Sequence, residues 1–128
     1  MAVRPLIAII EDDDAVRASF GELLEVCGFD VALFGTAEDF LDAAALADFR
    51  CVVTDYRLPG MDGLQASQQL FSMQPDMPVI LVTSGVSGKV ADKAIASGIK
   101  AVLPKPVSSD DLLEHIKEFI GERGGEVG

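Results

Sequence analysis

Asp55 ends a β-branched run, Cys51-Val-Val-Thr-Asp55, and a loop dense in turn residues follows, with Pro59, Gly60 and Gly63. Val52, Val53 and Thr54 favour a buried strand, and the proline and glycines stop it. The carboxylate is thereby delivered to the C-terminal edge of a strand. Taken alone, Asp55 reads as a solvated loop residue, but three other places carry groups that suit it. Glu11, Asp12, Asp13 and Asp14 follow an apolar run, Thr83 and Ser84 follow another, and Lys105 follows a third. If the strands are parallel, these groups share one rim of the sheet. Converging carboxylates repel, so either their pKa values rise or a hard divalent cation sits among them. Magnesium is the preferred ion, because it takes one or two carboxylates and keeps waters for a phosphate-bearing ligand. A Thr83 hydroxyl and the Lys105 ammonium then suit phosphoryl oxygens, and Asp55 becomes a nucleophile able to form an acyl phosphate.

The elements that must position these residues follow from periodicity. Leu6–Ile10 is of strand length, and Val16, Phe20, Leu23, Leu24 and Cys27 recur at helical spacing up to Gly28. Asp13 or Asp14 is free to cap that helix. Val31–Phe34 reads as a second strand, and Thr36 with Asp39 resembles a capping box that opens a helix to about Ala47. A helix from Gly63 to about Met73 carries Leu64, Leu70 and Phe71. Val79–Val82 is a continuous apolar run suited to a central parallel strand. A small-residue helix spans about Lys89 to Ser97, and Ala101–Leu103 is a fifth strand. Pro104 at its end makes it an edge strand. Ser108 with Asp111 caps a last helix whose stripe is Leu112, Leu113, Ile116, Phe119 and Ile120. A flexible tail is expected over residues 122–128, leaving one domain over 1–121. Five strands alternating with five helices imply an α/β doubly wound parallel sheet with helices on both faces, in the flavodoxin-like order 2-1-3-4-5.

Composition narrows the function. With 128 residues and 49% hydrophobic content, one cored domain is expected. The net charge of −11 argues against direct nucleic-acid binding by this chain, since phosphate contacts need clustered Lys and Arg. No apolar stretch reaches membrane-span length, and no signal-peptide pattern opens the chain, so a cytoplasmic location without membrane contact is expected. Cys27 and Cys51 have no partner at metal spacing and are expected to be small core residues. His115, the single histidine, is expected on a helix surface, and Tyr56 on the rim of the Asp55 site. Phe40 and Leu41 are most simply core.

Four motifs, Ile9-Ile-Glu-Asp-Asp-Asp-Ala-Val-Arg17, Val53-Thr-Asp-Tyr-Arg-Leu-Pro-Gly-Met-Asp-Gly63, Val79-Ile-Leu-Val-Thr-Ser84 and Lys105-Pro106, stand in this order over nearly the whole chain. Each is weak alone. Together, each after its own strand, they resemble a response-regulator receiver domain of two-component signalling, similar to receivers of LuxR/FixJ-type regulators. Ala37-Glu-Asp-Phe-Leu41 also recurs in receivers that precede a LuxR-type helix-turn-helix. The resemblance implies that Asp55 accepts a phosphoryl group from a sensor histidine kinase. Asp12 is similar to the direct Mg2+ ligand, Glu11 to its partner acting through water, and the Arg57 backbone carbonyl to a third protein ligand beside Asp55. Thr83 resembles the switch hydroxyl and Lys105 the cation that bonds the phosphoryl group; the Lys-Pro bond is commonly cis. The implied protein is no enzyme beyond its own phosphorylation and dephosphorylation. Its expected listeners are a downstream effector domain or protein, with homodimerisation on phosphorylation a further expectation. Two positions depart from the family pattern: Val102 stands where Phe or Tyr is usual, and Val107 where Phe often follows Lys-Pro.

Other functions compete with this one. An interaction module that keeps the fold without phosphorylation is disfavoured by the retention of Asp55, Thr83 and Lys105, although Val102 leaves it room. A flavodoxin-like electron carrier needs a hydroxyl- and glycine-rich loop after strand one, where four acids stand. A dehalogenase-type phosphatase needs an Asp two residues after its nucleophile, and Arg57 is there instead.

Overall fold

The computed structural model describes residues 4–85 and 88–124. Five strands, β1 (Leu6–Ile10), β2 (Asp30–Phe34), β3 (Cys51–Asp55), β4 (Val79–Thr83) and β5 (Ala101–Pro104), form one parallel sheet. Their order is β2-β1-β3-β4-β5, as expected. The helices α1 (Asp14–Val26), α2 (Ala37–Ala44), α3 (Gly63–Met73), α4 (Gly88–Ala96) and α5 (Ser109–Gly124) alternate with them.

The order of burial follows the pattern of the sequence. β3 and β4 are apolar, central and buried along their whole length, whereas β2 and β5 lie at the edges and are only partly covered. Successive side chains of a strand point to opposite faces, and this divides the core into two. Ile7, Ile9, Cys51, Val53, Ile80 and Val82 meet Leu24 of α1 and Leu112, Ile116 and Phe119 of α5. Ala8, Ile10, Val52, Val79 and Leu81 meet Phe40 of α2, Leu64 and Leu70 of α3 and Ala94 of α4. Phe34, Phe40 and Phe49 pack with ring centroids 5.7–6.1 Å apart beneath α2.

Local signals set the helix starts. The Asp13 side chain accepts from the Val16 N–H, Thr36 from Asp39 and Ser108 from Asp111. Gly28 adopts φ +101° just beyond α1, where a side chain would be strained. Pro104 occupies β5 itself, at the unpaired edge of the sheet.

Three expectations need correction. Cys27 is exposed; only Cys51 lies in the core, because Cys27 is the C-cap of α1 and follows the exposed Val26 at the helix end. His115 is half-buried with its ring stacked on Phe119 at 5.6 Å, and its Nδ1 is buried without a hydrogen-bond partner, so it is not a plain surface residue. α5 runs to Gly124, whereas a tail was expected from residue 122; residues 125–128 lie outside the described residues.

Candidate functional site at the carboxyl edge of the sheet

Parallel register brings the four motifs together. Ile10 pairs with Thr54, so Glu11 leaves β1 beside Asp55. Asp55 pairs with Val82, and Thr83 with Pro104, so Lys105 leaves β5 next to Thr83. One carboxylate oxygen from each of Glu11, Asp12 and Asp55 lies within 4.8 Å of the others. Glu11 and Asp55 are buried, while Asp12 is exposed and opens the cluster to solvent. The Lys105 ammonium reaches in from the opposite side, donating to Asp55 Oδ2 at 2.8 Å and to Glu11 Oε1 at 3.2 Å. The Lys105–Pro106 bond is cis.

The backbone around the carboxylates is tied down separately. Glu11 N–H donates to the Phe34 carbonyl at 3.0 Å, and Tyr56 N–H to the Val82 carbonyl at 2.8 Å. Glu11 Oε2 accepts from the Asp13 N–H at 3.1 Å. Gly63 opens α3 directly against the strand end: a Cβ there would stand 2.2 Å from the Asp55 carbonyl oxygen. Only glycine permits that approach.

Burial, followed by the charge of Asp55, pushes the Glu11 carboxyl above its ordinary value, against the opposing Asp13 N–H and the Lys105 ammonium. Burial works against the charge on Lys105, yet the hydrogen bond and charge of Asp55, then those of Glu11, outweigh it and raise the ammonium above its ordinary value. Three carboxylates face one ammonium, so the cluster carries negative charge in excess. Hard oxygen donors, an open side at Asp12 and uncompensated negative charge are what a hydrated divalent cation requires. The residues present therefore fit magnesium.

The other candidates fall nearby with less engagement. Thr83 is the last residue of β4, 2% exposed, and its hydroxyl donates to the Ser84 carbonyl at 3.2 Å. Arg57 is exposed, two residues beyond Asp55, and Tyr56 is half-buried against the α2–α4 side of the core. Val102 is half-buried in that same core, and Val107 packs on the opposite one.

Two structural contributors escaped sequence reasoning. Arg17 Nη1 donates to the Glu11 carbonyl at 2.7 Å while its other amine pairs with Asp14, which pins the β1–α1 turn. Its position one turn into α1 was the available signal. Asp62 and Gln65 form a complete capping box at the start of α3, a spacing that was legible in the sequence.

A doubly wound α/β domain here carries, at the carboxyl edge of its sheet, an acidic cluster and a lysine chemically suited to a divalent cation and a phosphate-bearing ligand. Comparison with known proteins narrows this reading. Residues 7–117 match the response regulator receiver domain. The chain is 36% identical to the transcriptional regulatory protein FixJ of Bradyrhizobium diazoefficiens over 94% of its own length and 58% of the relative's. It is 36% identical to the C4-dicarboxylate transport transcriptional regulatory protein DctD of Rhizobium meliloti, over 89% of its length and 25% of the relative's. A CheY-like receiver domain protein from Methanospirillum hungatei superposes with TM-score 0.91 at 31% identity, covering 98% of this chain and 100% of that one. Full-length FixJ from B. japonicum superposes with TM-score 0.87 at 34% identity, covering 97% of this chain and 61% of that one. The chain belongs to the response regulator receiver domain family of two-component systems, whose standard function is signalling by phosphorylation on an aspartate. It spans about a quarter to three-fifths of the length of these two curated relatives.

Proposed function

We propose that Asp55 is the phosphoacceptor of this receiver and that a sensor histidine kinase supplies the phosphoryl group. The observation that carries the reading is the Lys105 ammonium on Asp55 Oδ2 at 2.8 Å, beside carboxylates of Glu11 and Asp12 gathered within 4.8 Å. Asp55 presents a carboxylate oxygen to the phosphorus; an O–P bond forms as the P–N bond to the donor imidazole breaks, and the imidazole leaves with that electron pair. Such transfers need positioning and charge neutralisation more than covalent assistance. Lys105 already touches the nucleophile and is placed to hold a phosphoryl oxygen as charge builds there. The Thr83 hydroxyl, now spent on the Ser84 carbonyl, has a better acceptor in a phosphoryl oxygen at Asp55. Glu11, Asp12, Asp55 and the Arg57 backbone carbonyl would hold magnesium. Bound there, the ion supplies positive charge between the acidic cluster and the incoming phosphoryl oxygens.

The phosphorylated state then biases the face formed by α4, β5 and α5. Val102 has no ring to swing between buried and exposed positions, so the report passes through the backbone of the segment after Thr83 and into α4; residues 86 and 87 of that segment lie outside the described residues. A downstream effector domain or protein, or a second copy of the chain, reads that surface. The location is proposed to be cytoplasmic, in keeping with the absence of any helix, among the described residues, long and apolar enough to cross a membrane.

Incubation with magnesium and acetyl phosphate, followed by intact mass, tests the assignment. Wild type gains one phosphoryl group and Asp55→Asn gains none. Uptake by the Asn variant, or none by wild type while a control receiver is labelled, rejects it.

A further inference from the structure

Glu38 lies in the first turn of α2, a helix that contributes no group to the acidic cluster. Its simplest role is to complement the positive end of that helix's dipole. The carboxylate nevertheless reaches 23 residues along the chain: Glu38 Oε2 accepts the Met61 N–H at 3.2 Å. The same oxygen lies against the Gly60 backbone, where a Cβ would stand 2.9 Å from it, and Gly60 adopts φ +77°. Gly60 and Met61 form the outer part of the loop that joins Asp55 to α3. The base of that loop is closed by the Gly63 N–H donating to the Tyr56 carbonyl at 2.8 Å, and its far end by the Asp62–Gln65 capping box. Between these two ties stand Arg57, Leu58, Pro59, Gly60 and Met61; Leu58 packs on the core, and the Glu38 carboxylate fastens the outer part, Gly60 and Met61, to α2.

We propose that Glu38 is a positioning residue for the metal site: by holding the Gly60–Met61 backbone it sets the Arg57 end of the loop against the acidic cluster. The inference rests on the site reading given above and extends it to a residue of another element. A long side chain ending in an acceptor oxygen is suited to the task, because it spans from α2 and takes a backbone N–H. The bond, not the charge as such, is what matters, so a glutamine carbonyl oxygen substitutes for it.

The experiment uses the full 128-residue chain with Glu38→Ala and Glu38→Gln. Amide hydrogen exchange at Met61 is measured without metal, magnesium affinity by amide chemical shifts titrated with magnesium chloride, and the thermal midpoint in parallel. Glu38→Ala is expected to expose the Met61 amide and weaken magnesium roughly tenfold, the lower end of what loss of an outer-sphere support costs. Its thermal midpoint should stay within about 2 °C of wild type, as for an exposed substitution. Glu38→Gln should match wild type in exchange and affinity, which separates bracing from the helix-dipole role. Glu38→Ala with wild-type Met61 protection or wild-type magnesium affinity overturns the proposal, as does Glu38→Gln as impaired as Glu38→Ala. A wild type that takes up no magnesium defeats the site reading and this inference with it. It is told apart from failure of the brace alone, in which wild type and Glu38→Ala bind magnesium equally.

Discussion

Glu11 is 2% exposed and hydrogen-bonded to Lys105, yet its carboxyl is raised because burial and the neighbouring Asp55 outweigh those bonds. A folded-state value above the ordinary 4.5 means that the stability owed to Glu11 is present below that value and is lost as pH rises through the higher one. In metal-free protein, Glu11→Gln removes this loss while its amide oxygen keeps an acceptor for Lys105. Urea unfolding at pH 4 and pH 8 should show the variant gaining stability relative to wild type across that interval. A constant difference between the two proteins would mean that Lys105 already cancels the burial cost.

At the scale of elements, α3 matters as much for where it starts as for what it buries. Gly63 is both its first residue and the point where the helix meets the Asp55 carbonyl, and the neighbouring Thr54 hydroxyl donates to that same oxygen at 3.0 Å. Helix propensity alone favours alanine over glycine by about 1 kcal/mol. The 2.2 Å approach to backbone reverses the sign, because neither the strand end nor the helix start can yield independently. Gly63→Ala is expected to destabilise the fold by about 2–3 kcal/mol, within the range for overpacking, and to reduce phosphoryl uptake through Asp55. Chemical denaturation with a parallel intact-mass assay checks both. The pair Asp62 and Gln65 shows how far local signals go: their three-residue spacing names the start of α3, whereas nothing local reveals that this start abuts a carboxylate.

For the whole molecule, 21 acidic residues against 10 basic ones leave a net charge of −11 on 128 residues. Self-repulsion of this kind opposes the compact state and is screened by salt, with a Debye length of about 30 Å at 0.01 M and about 10 Å at 0.1 M. The thermal midpoint should therefore rise as sodium chloride is raised from about 10 mM to about 200 mM. Magnesium at about ten times its dissociation constant should add about 1.4 kcal/mol beyond screening, from binding to the folded state alone. Calcium-free, chelator-treated protein titrated with sodium and then magnesium chloride separates the two. A magnesium effect no larger than that of sodium at equal ionic strength counts against the metal site.

Much of the fold and of the site is legible in the chain itself. Alternating apolar runs, turn residues and caps made the five strands and five helices legible, because each strand's period and each cap act over a few residues, and the alternation of the elements implied a parallel sheet. The same reading brought Glu11, Asp12, Asp55, Thr83 and Lys105 to one edge, since in a parallel sheet every strand ends on the same side. Tertiary structure decided what depends on distance between elements. It placed Lys105 on both buried acids, turned Cys27 outward, buried the Nδ1 of His115, and laid the Glu38 carboxylate on a loop 23 residues away. Those contacts come from how helices of different lengths settle on a twisted sheet, and no periodicity in the chain encodes them. Asp55 as a candidate nucleophile could thus be inferred only together with the groups at the other strand ends, whereas its contact with Lys105 required the packed molecule.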